Sequence, residues 1–120
     1  MPRVKVTVKG RDRVNKRLRQ TVTAMRRGGR AGARESAERL RALMVEFAPI
    51  DTGALVASIR VQEGAKGLVY KVGPGAEIVY AEFVEFGTSN MAAQPYVRPA
   101  VEMERSKVGK TIGAAIRAEL

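Results

Sequence analysis

The sequence predicts an α+β fold, a small and mostly antiparallel sheet with helices on one face, in the order β-α-β-β-α-α. Two observations carry that prediction. Apolar residues alternate with period two near residues 3–9, 58–63 and 68–73, and they recur at helical spacing across 11–47 and 99–118. Breaks rich in Gly and Pro separate these stretches. At 120 residues the chain reads as one domain, 1–120, large enough to hold a core without crosslinks.

Each element has its own signal. Val4, Val6 and Val8 alternate with Lys5, Thr7 and Lys9, the pattern of a strand with one buried face, and Gly10 ends it. From Asp12 the period becomes helical, with Val14, Leu18, Val22 and Met25 on one stripe. The stripe resumes in nearly the same phase as Ala33, Ala37, Leu40, Met44 and Phe47. Between the halves lie Gly28, Gly29 and Gly32, each weakening a helix by ~1 kcal/mol relative to Ala. The reading is one long helix over 11–47 with a soft middle, a break at Gly28 and Gly29 remaining open. Pro49 drives Ala48 out of helical geometry and stops it near Phe47.

Asp51-Thr52-Gly53 is turn chemistry, and Asp51 or Thr52 is placed to cap a short helical turn through Val56. Ile59 and Val61 face one way on the next strand, Leu68, Tyr70 and Val72 mark its return, and residues 63–67 form the hairpin loop. Gly73-Pro74-Gly75 ends the hairpin; it lacks the spacing of a phosphate loop and reads as a turn. In VYAEFVEFG alternation fails at Glu82, so residues 79–86 are read as a short helix with Gly87 as its left-handed cap, a strand staying open for part of it. Residues 88–95 have no periodicity and form an ordered or partner-bound loop. Pro99 fits the first turn of a last helix over 99–118, with Glu102 and Glu104 near its positive end. Val101, Val108, Ile112, Ala115 and Ile116 give that helix an apolar face.

Charge is distributed unevenly. The whole chain carries a formal +10, yet residues 1–30 hold eleven Lys and Arg against Asp12 alone. The other bases and acids cancel over 31–120, so a basic segment is joined to a neutral body. Arg11, Arg13, Lys16, Arg17, Arg19, Arg26, Arg27 and Arg30 are the candidates for contact with DNA or with an acidic partner. No aromatic accompanies them, which argues against sequence-specific or stacking recognition and leaves non-specific DNA binding as an alternative function. No apolar run approaches the ~20 residues of a membrane span. The N-terminus lacks the apolar core of a secretory signal, and the expectation is an intracellular protein without a membrane partner.

A catalytic reading fares poorly. Cysteine and histidine are both absent, removing disulfides, thiolate zinc sites, the commonest general base and the commonest metal ligand. Glu82 and Glu85 stand three residues apart on the predicted short helix. That spacing serves either a metal or acid–base pair, or an acidic edge opposite Tyr80 and Phe83; the second reading is preferred. The expectation is no enzyme, no catalytic residue, no metal and no cofactor. The aromatics are more informative: of six, Tyr80, Phe83, Phe86 and Tyr96 fall within seventeen residues around the irregular loop. Aromatics beside prolines that fix the backbone before docking suit a subunit contact. The candidates are Tyr80, Phe83, Glu85, Phe86, Gly87, Thr88, Gln94, Pro95, Tyr96, Arg98 and Pro99.

Three blocks in order make the sequence resemble a known family. They are Pro49-Ile50-Asp51-Thr52-Gly53-Ala54-Leu55 followed by Ser58-Ile59; Tyr80 with Val84-Glu85-Phe86-Gly87-Thr88; and Gln94-Pro95-Tyr96-Val97-Arg98-Pro99-Ala100, behind a long polar helix. The set resembles the tail-component, or tail-completion, family of long-tailed bacteriophages, over roughly residues 10–115. Tyr96 stands where that family more often has Phe, and the Gly-rich helix centre is less typical. The resemblance implies a structural virion protein at the head–tail junction or tail, assembled in the host cytoplasm. It implies a ring, usually of six copies, around the DNA channel, joined to neck and tail-tube proteins and free to touch packaged DNA. Ring closure needs one surface to fit a different surface of the next copy. Residues 84–99 are expected to supply one side, and the hairpin or long helix the other.

Overall fold

The computed structural model describes residues 9–50 and 53–120. Its elements are α1 (Arg11–Phe47), α2 (Ala54–Ser58), the hairpin strands β1 (Arg60–Gly64) and β2 (Val69–Gly73), α3 (Ala81–Phe86) and α4 (Val97–Glu119). The α+β class holds, and the long helix runs unbroken over the expected span. The strand expected at 3–9 lies outside the described residues but for Lys9, which stands in a turn, and the capping role of Asp51 or Thr52 lies outside them. Among those residues the sheet is the two-stranded antiparallel hairpin, with Arg60 opposite Gly73 and Gly64 opposite Val69.

Several boundaries differ from expectation for local reasons. The first hairpin strand begins at Arg60, not 58, because the Ser58 hydroxyl donates to the Leu55 carbonyl (2.7 Å) and closes α2. Leu68 is an exposed turn residue, so the return strand starts at Val69. The short helix starts at Ala81 in place of 79. Gly87 follows it at φ 75°, ψ 174°, a positive φ as expected but a mirror-extended conformation outside the left-handed helical region. The last helix begins at Val97, two residues early, and Glu104 lies on its inner face, away from the first turn.

The frame is the antiparallel pair α1 and α4. Gly28 lies against Ala115 and Ile116, Gly32 against Ile112, and Ser36 reaches Glu104 further along. A Cβ at Gly28 would stand 2.5 Å from the Ile116 Cα, and one at Gly32 would stand 2.6 Å from the Ile112 Cα. Both are backbone atoms, so the helices touch main chain to main chain. Of the three glycines expected to soften the helix, Gly28 and Gly32 are points at which α4 docks, and Gly29 faces away. Packing on the covered face returns more than the helix propensity they forfeit.

Beside this pair the hairpin lies along α1. Its turn packs on the Arg30 stem, while Tyr70 and Val72 face Ala33, Ser36, Ala37 and Leu40 across an open groove of about 180 Å³. The core sits at the far end, where Met44, Ala48, Leu55, Ile59, Ala81, Tyr96 and Ala100 form one buried cluster. At the other end α1 outruns the other described elements. Glu119 and Leu120 reach back only to Ala24, Thr21, Gln20 and Arg17, and the hairpin turn stops at Arg30. The Cα radius of gyration, 22.4 Å, is far above the ~14 Å of a compact chain of this length.

The close approach sets a sharp test. Gly28→Ala places its methyl inside the α4 backbone and should destabilise by about 1–3 kcal/mol, despite alanine's better helix propensity. Gly29→Ala meets nothing within 4 Å and should stabilise by up to about 1 kcal/mol. Urea denaturation of both variants distinguishes packing glycines from merely tolerated ones; equal behaviour would refute the close contact.

Candidate assembly surface

Two buried carboxylates fix the geometry of the surface. The first is Glu85, whose side chain turns inward from α3. Its Oε2 accepts the backbone N–H of Tyr96 (2.7 Å) and Val97 (2.9 Å), and its Oε1 accepts the N–H of Arg98 (3.0 Å). A helix leaves its first four N–H groups without intrahelical partners. Here one carboxylate takes three, and Pro99, at the fourth position, has none to satisfy. The negative charge also meets the positive end of the α4 dipole. Arg98 completes the arrangement: its Nε donates to Glu85 Oε1 (3.2 Å) and its Nη2 to the Glu85 carbonyl (3.3 Å). Its guanidinium lies 5.2 Å from the centre of the Phe86 ring.

Glu85 is therefore the cap of α4, and the acidic edge expected for the Glu82 and Glu85 pair is corrected to one buried and one exposed acid. Burial pushes the Glu85 carboxyl up, but the three N–H donors and Arg98 outweigh it and hold the group below the usual carboxylate range. Burial and the neighbouring Glu85 charge push the Tyr96 hydroxyl up.

The second carboxylate is Glu104. Its two oxygens accept a bidentate pair from Arg39 Nε (2.7 Å) and Nη2 (2.8 Å), and Oε1 also accepts from the Ser36 hydroxyl (2.7 Å). Arg39 reaches Thr111 as well (2.5 Å). The Arg39 hydrogen bonds hold Glu104 below the usual range against the opposing effect of burial. Together the two clusters lock α4 to α3 and to α1. Among the described residues no buried side-chain polar atom lacks a hydrogen bond. None of their carboxylates gathers into a group of three or more metal-binding side chains.

On this base sits an exposed aromatic face. Val79, Tyr80, Phe83 and Phe86 are 83%, 40%, 53% and 67% exposed. The following loop is ordered by its own backbone. Thr88 N–H donates to the Met91 carbonyl (2.8 Å), Met91 N–H to Thr88 (3.3 Å), and Gln94 N–H to the Val84 carbonyl (2.8 Å). Gly87 permits this folding-back, since a Cβ there would lie 2.8 Å from the Ala93 nitrogen.

The structure thus divides the expected contact residues. Tyr80, Phe83, Phe86, Thr88, Gln94, Pro95 and Arg98 are exposed, Gly87 and Pro99 are half-buried, and Glu85 and Tyr96 are interior. The interior two support the surface from beneath. Of the basic candidates, Arg27 pairs with Glu119 (3.3 Å). Arg11, Arg13, Lys16, Arg17, Arg19, Arg26 and Arg30 are exposed and make no ion pair among the described residues. Sequence reasoning missed Gly28, Gly32, Ser36, Arg39 and Glu104 as a set. The Gly-x-x-x-Gly-x-x-x-Ser spacing, which places three small residues on one helix face, was the available signal.

The chain is thus an α+β fold framed by two helices, with its buried carboxylates holding its own elements and Tyr80, Phe83 and Phe86 turned outwards. Residues 11–87 match the family model described as "Bacteriophage HK97-gp10, putative tail-component", and the chain belongs to that family of phage tail components. Membership places it in the virion, among other virion proteins. No curated protein and no solved structure matches the chain. No helix among the described residues is long and apolar enough to cross a membrane.

The lowered carboxylates fix the sign of the pH dependence. Between their folded and unfolded values the unfolded chain binds more protons. The stability they contribute is full above the unfolded range near ~4.3 and is lost as pH falls through the lowered folded values. Glu85→Gln should cost about 1.5–3 kcal/mol at neutral pH. It should also flatten the fall in stability below about pH 4.5. Chemical denaturation of wild type and variant from pH 3 to 7 checks both; an unchanged acid limb would exclude Glu85 as its source.

Proposed function

We propose that this tail component forms a ring, of six copies, at the neck or tail end of the phage, around the DNA channel between head connector and tail tube. Its work in that place is binding, without catalysis. The observation that carries the reading is the face made by Val79, Tyr80, Phe83 and Phe86, exposed on a helix whose neighbours are pinned by Glu85 and Arg98. An aromatic patch on a pre-ordered base loses little conformational entropy on docking. Thr88, Gln94, Pro95 and Arg98 form its polar border. Ring closure turns this one surface towards a different surface of the next copy. Assembly takes place in the host cytoplasm before the particle is complete.

A second reading rests on a separate observation, the exposed bases of α1 that make no ion pair among the described residues. They suit non-specific contact with phosphates of DNA passing through the channel, whose affinity falls steeply with salt.

Phe83→Ser with Phe86→Ser removes two exposed rings and the Arg98 contact over Phe86, and should cost no more than about 1–2 kcal/mol, so that the fold persists. Light scattering and negative-stain microscopy should then find rings in wild type and monomers in the variant. Rings in both would exclude this face as the contact.

A further inference from the structure

The apolar stripe of α1 does not end where its coverings end. At 100° per residue, Val14, Leu18, Val22 and Met25 stay within about 40° of one line. That line continues the face which α4 and the hairpin bury further along the helix. Val14 and Leu18 are 57% and 58% exposed, and Val22 and Met25 nearly half exposed. On one helix this is four large apolar side chains in a row, which the described residues leave about half exposed or more. Arg17, Arg19 and Arg26 flank the row at roughly 80–100° to either side.

What covers it must be apolar at its centre and must tolerate that positive border. A like pairing of two α1 arms fails, since residues 11–27 hold seven bases and one acid, and two such arms repel. The α3 face of another copy fits. It presents Val79, Tyr80, Phe83 and Phe86, and of its acids Glu85 is paired with Arg98 and Glu77 with Arg60, which leaves the charge of Glu82 uncompensated. Of those acids Glu82 is exposed and makes no ion pair among the described residues, so it is available to Arg17 or Arg19.

We infer that α1 in one copy docks its exposed Val14–Leu18–Val22–Met25 stripe on the aromatic α3 face of the next copy, with Glu82 at its edge. This rests on the ring reading above and names both of its surfaces. The two patches lie on different parts of the chain, so the contact is head-to-tail and propagates from copy to copy until it closes. The far side of the arm, with Arg13 and Lys16, stays outside the contact.

Absence of cysteine makes the test clean. Asn15→Cys or Thr21→Cys, beside the stripe, is combined with Val79→Cys, at the edge of the α3 face, and the protein is oxidised mildly. Each double variant should give a ladder of covalent oligomers that stops at the copy number of the ring, while single variants stay monomeric on denaturing gels. In parallel, Leu18→Ser with Val22→Ser should raise the concentration needed for assembly by about a hundredfold with the fold unchanged by circular dichroism. Rings by light scattering without a ladder in either double variant would overturn the docking and leave the ring reading intact. Covalent dimers from a single-cysteine variant would mean like-to-like pairing and would also overturn it. Wild-type protein that stays monomeric at every concentration would overturn both.

Discussion

The main-chain contact between α1 and α4 is the constraint on which the rest depends. Two helices can approach this closely only where side chains are missing, and Gly28 and Gly32 supply that gap one turn apart. Once the axes are fixed at that distance, Ser36 and Arg39 come within hydrogen-bond reach of Glu104. The hairpin finds a groove whose floor is α1 and whose far wall is α4. The N-terminus of α4 is then held over α3, where Glu85 meets it. Moving α4 outwards by the width of a methyl group would disturb all three arrangements together.

The two buried carboxylates act on different seams of the same frame. Glu104 ties α4 to α1 along its length, through a bidentate pair with Arg39. Glu85 ties the start of α4 to α3 by replacing the partners that its terminal N–H groups lack. Breaking such a pair costs more than its formation gains, because the surviving charge is left without its partner. These acids therefore specify geometry: they fix where the aromatic face stands relative to the long helix. A tail component that meets other virion proteins needs that fixed spacing, because each contact sets the position of the next.

Much of the fold was legible in the sequence. The 11–47 helix follows from its apolar stripe and from Pro49, and the hairpin from alternation around residues 63–67. The aromatic cluster at residues 80–96 was legible as a feature, though not its division into exposed Phe83 and Phe86 and buried Tyr96. Periodicity reports which residues share a face, and at Tyr96 the face could not be assigned without knowing where α4 begins. The same limit applied to Glu85. Local spacing paired it with Glu82, whereas its partners lie eleven to thirteen residues away across a loop.

The sequence by itself determined most of the elements, the concentration of positive charge before residue 31, and a resemblance to phage tail components that the family match bears out over residues 11–87. Those are local properties, written in period, composition and turn chemistry. Only the tertiary structure decided what the glycines of α1 are for, which carboxylates are buried, and that among the described residues the apolar stripe at Val14, Leu18, Val22 and Met25 is left exposed. Each of those depends on which segments meet across long separations. An uncharged gap at Gly28 looks the same in sequence whether it weakens a helix or admits a neighbour, and the difference is made by Ile116, 88 residues further on.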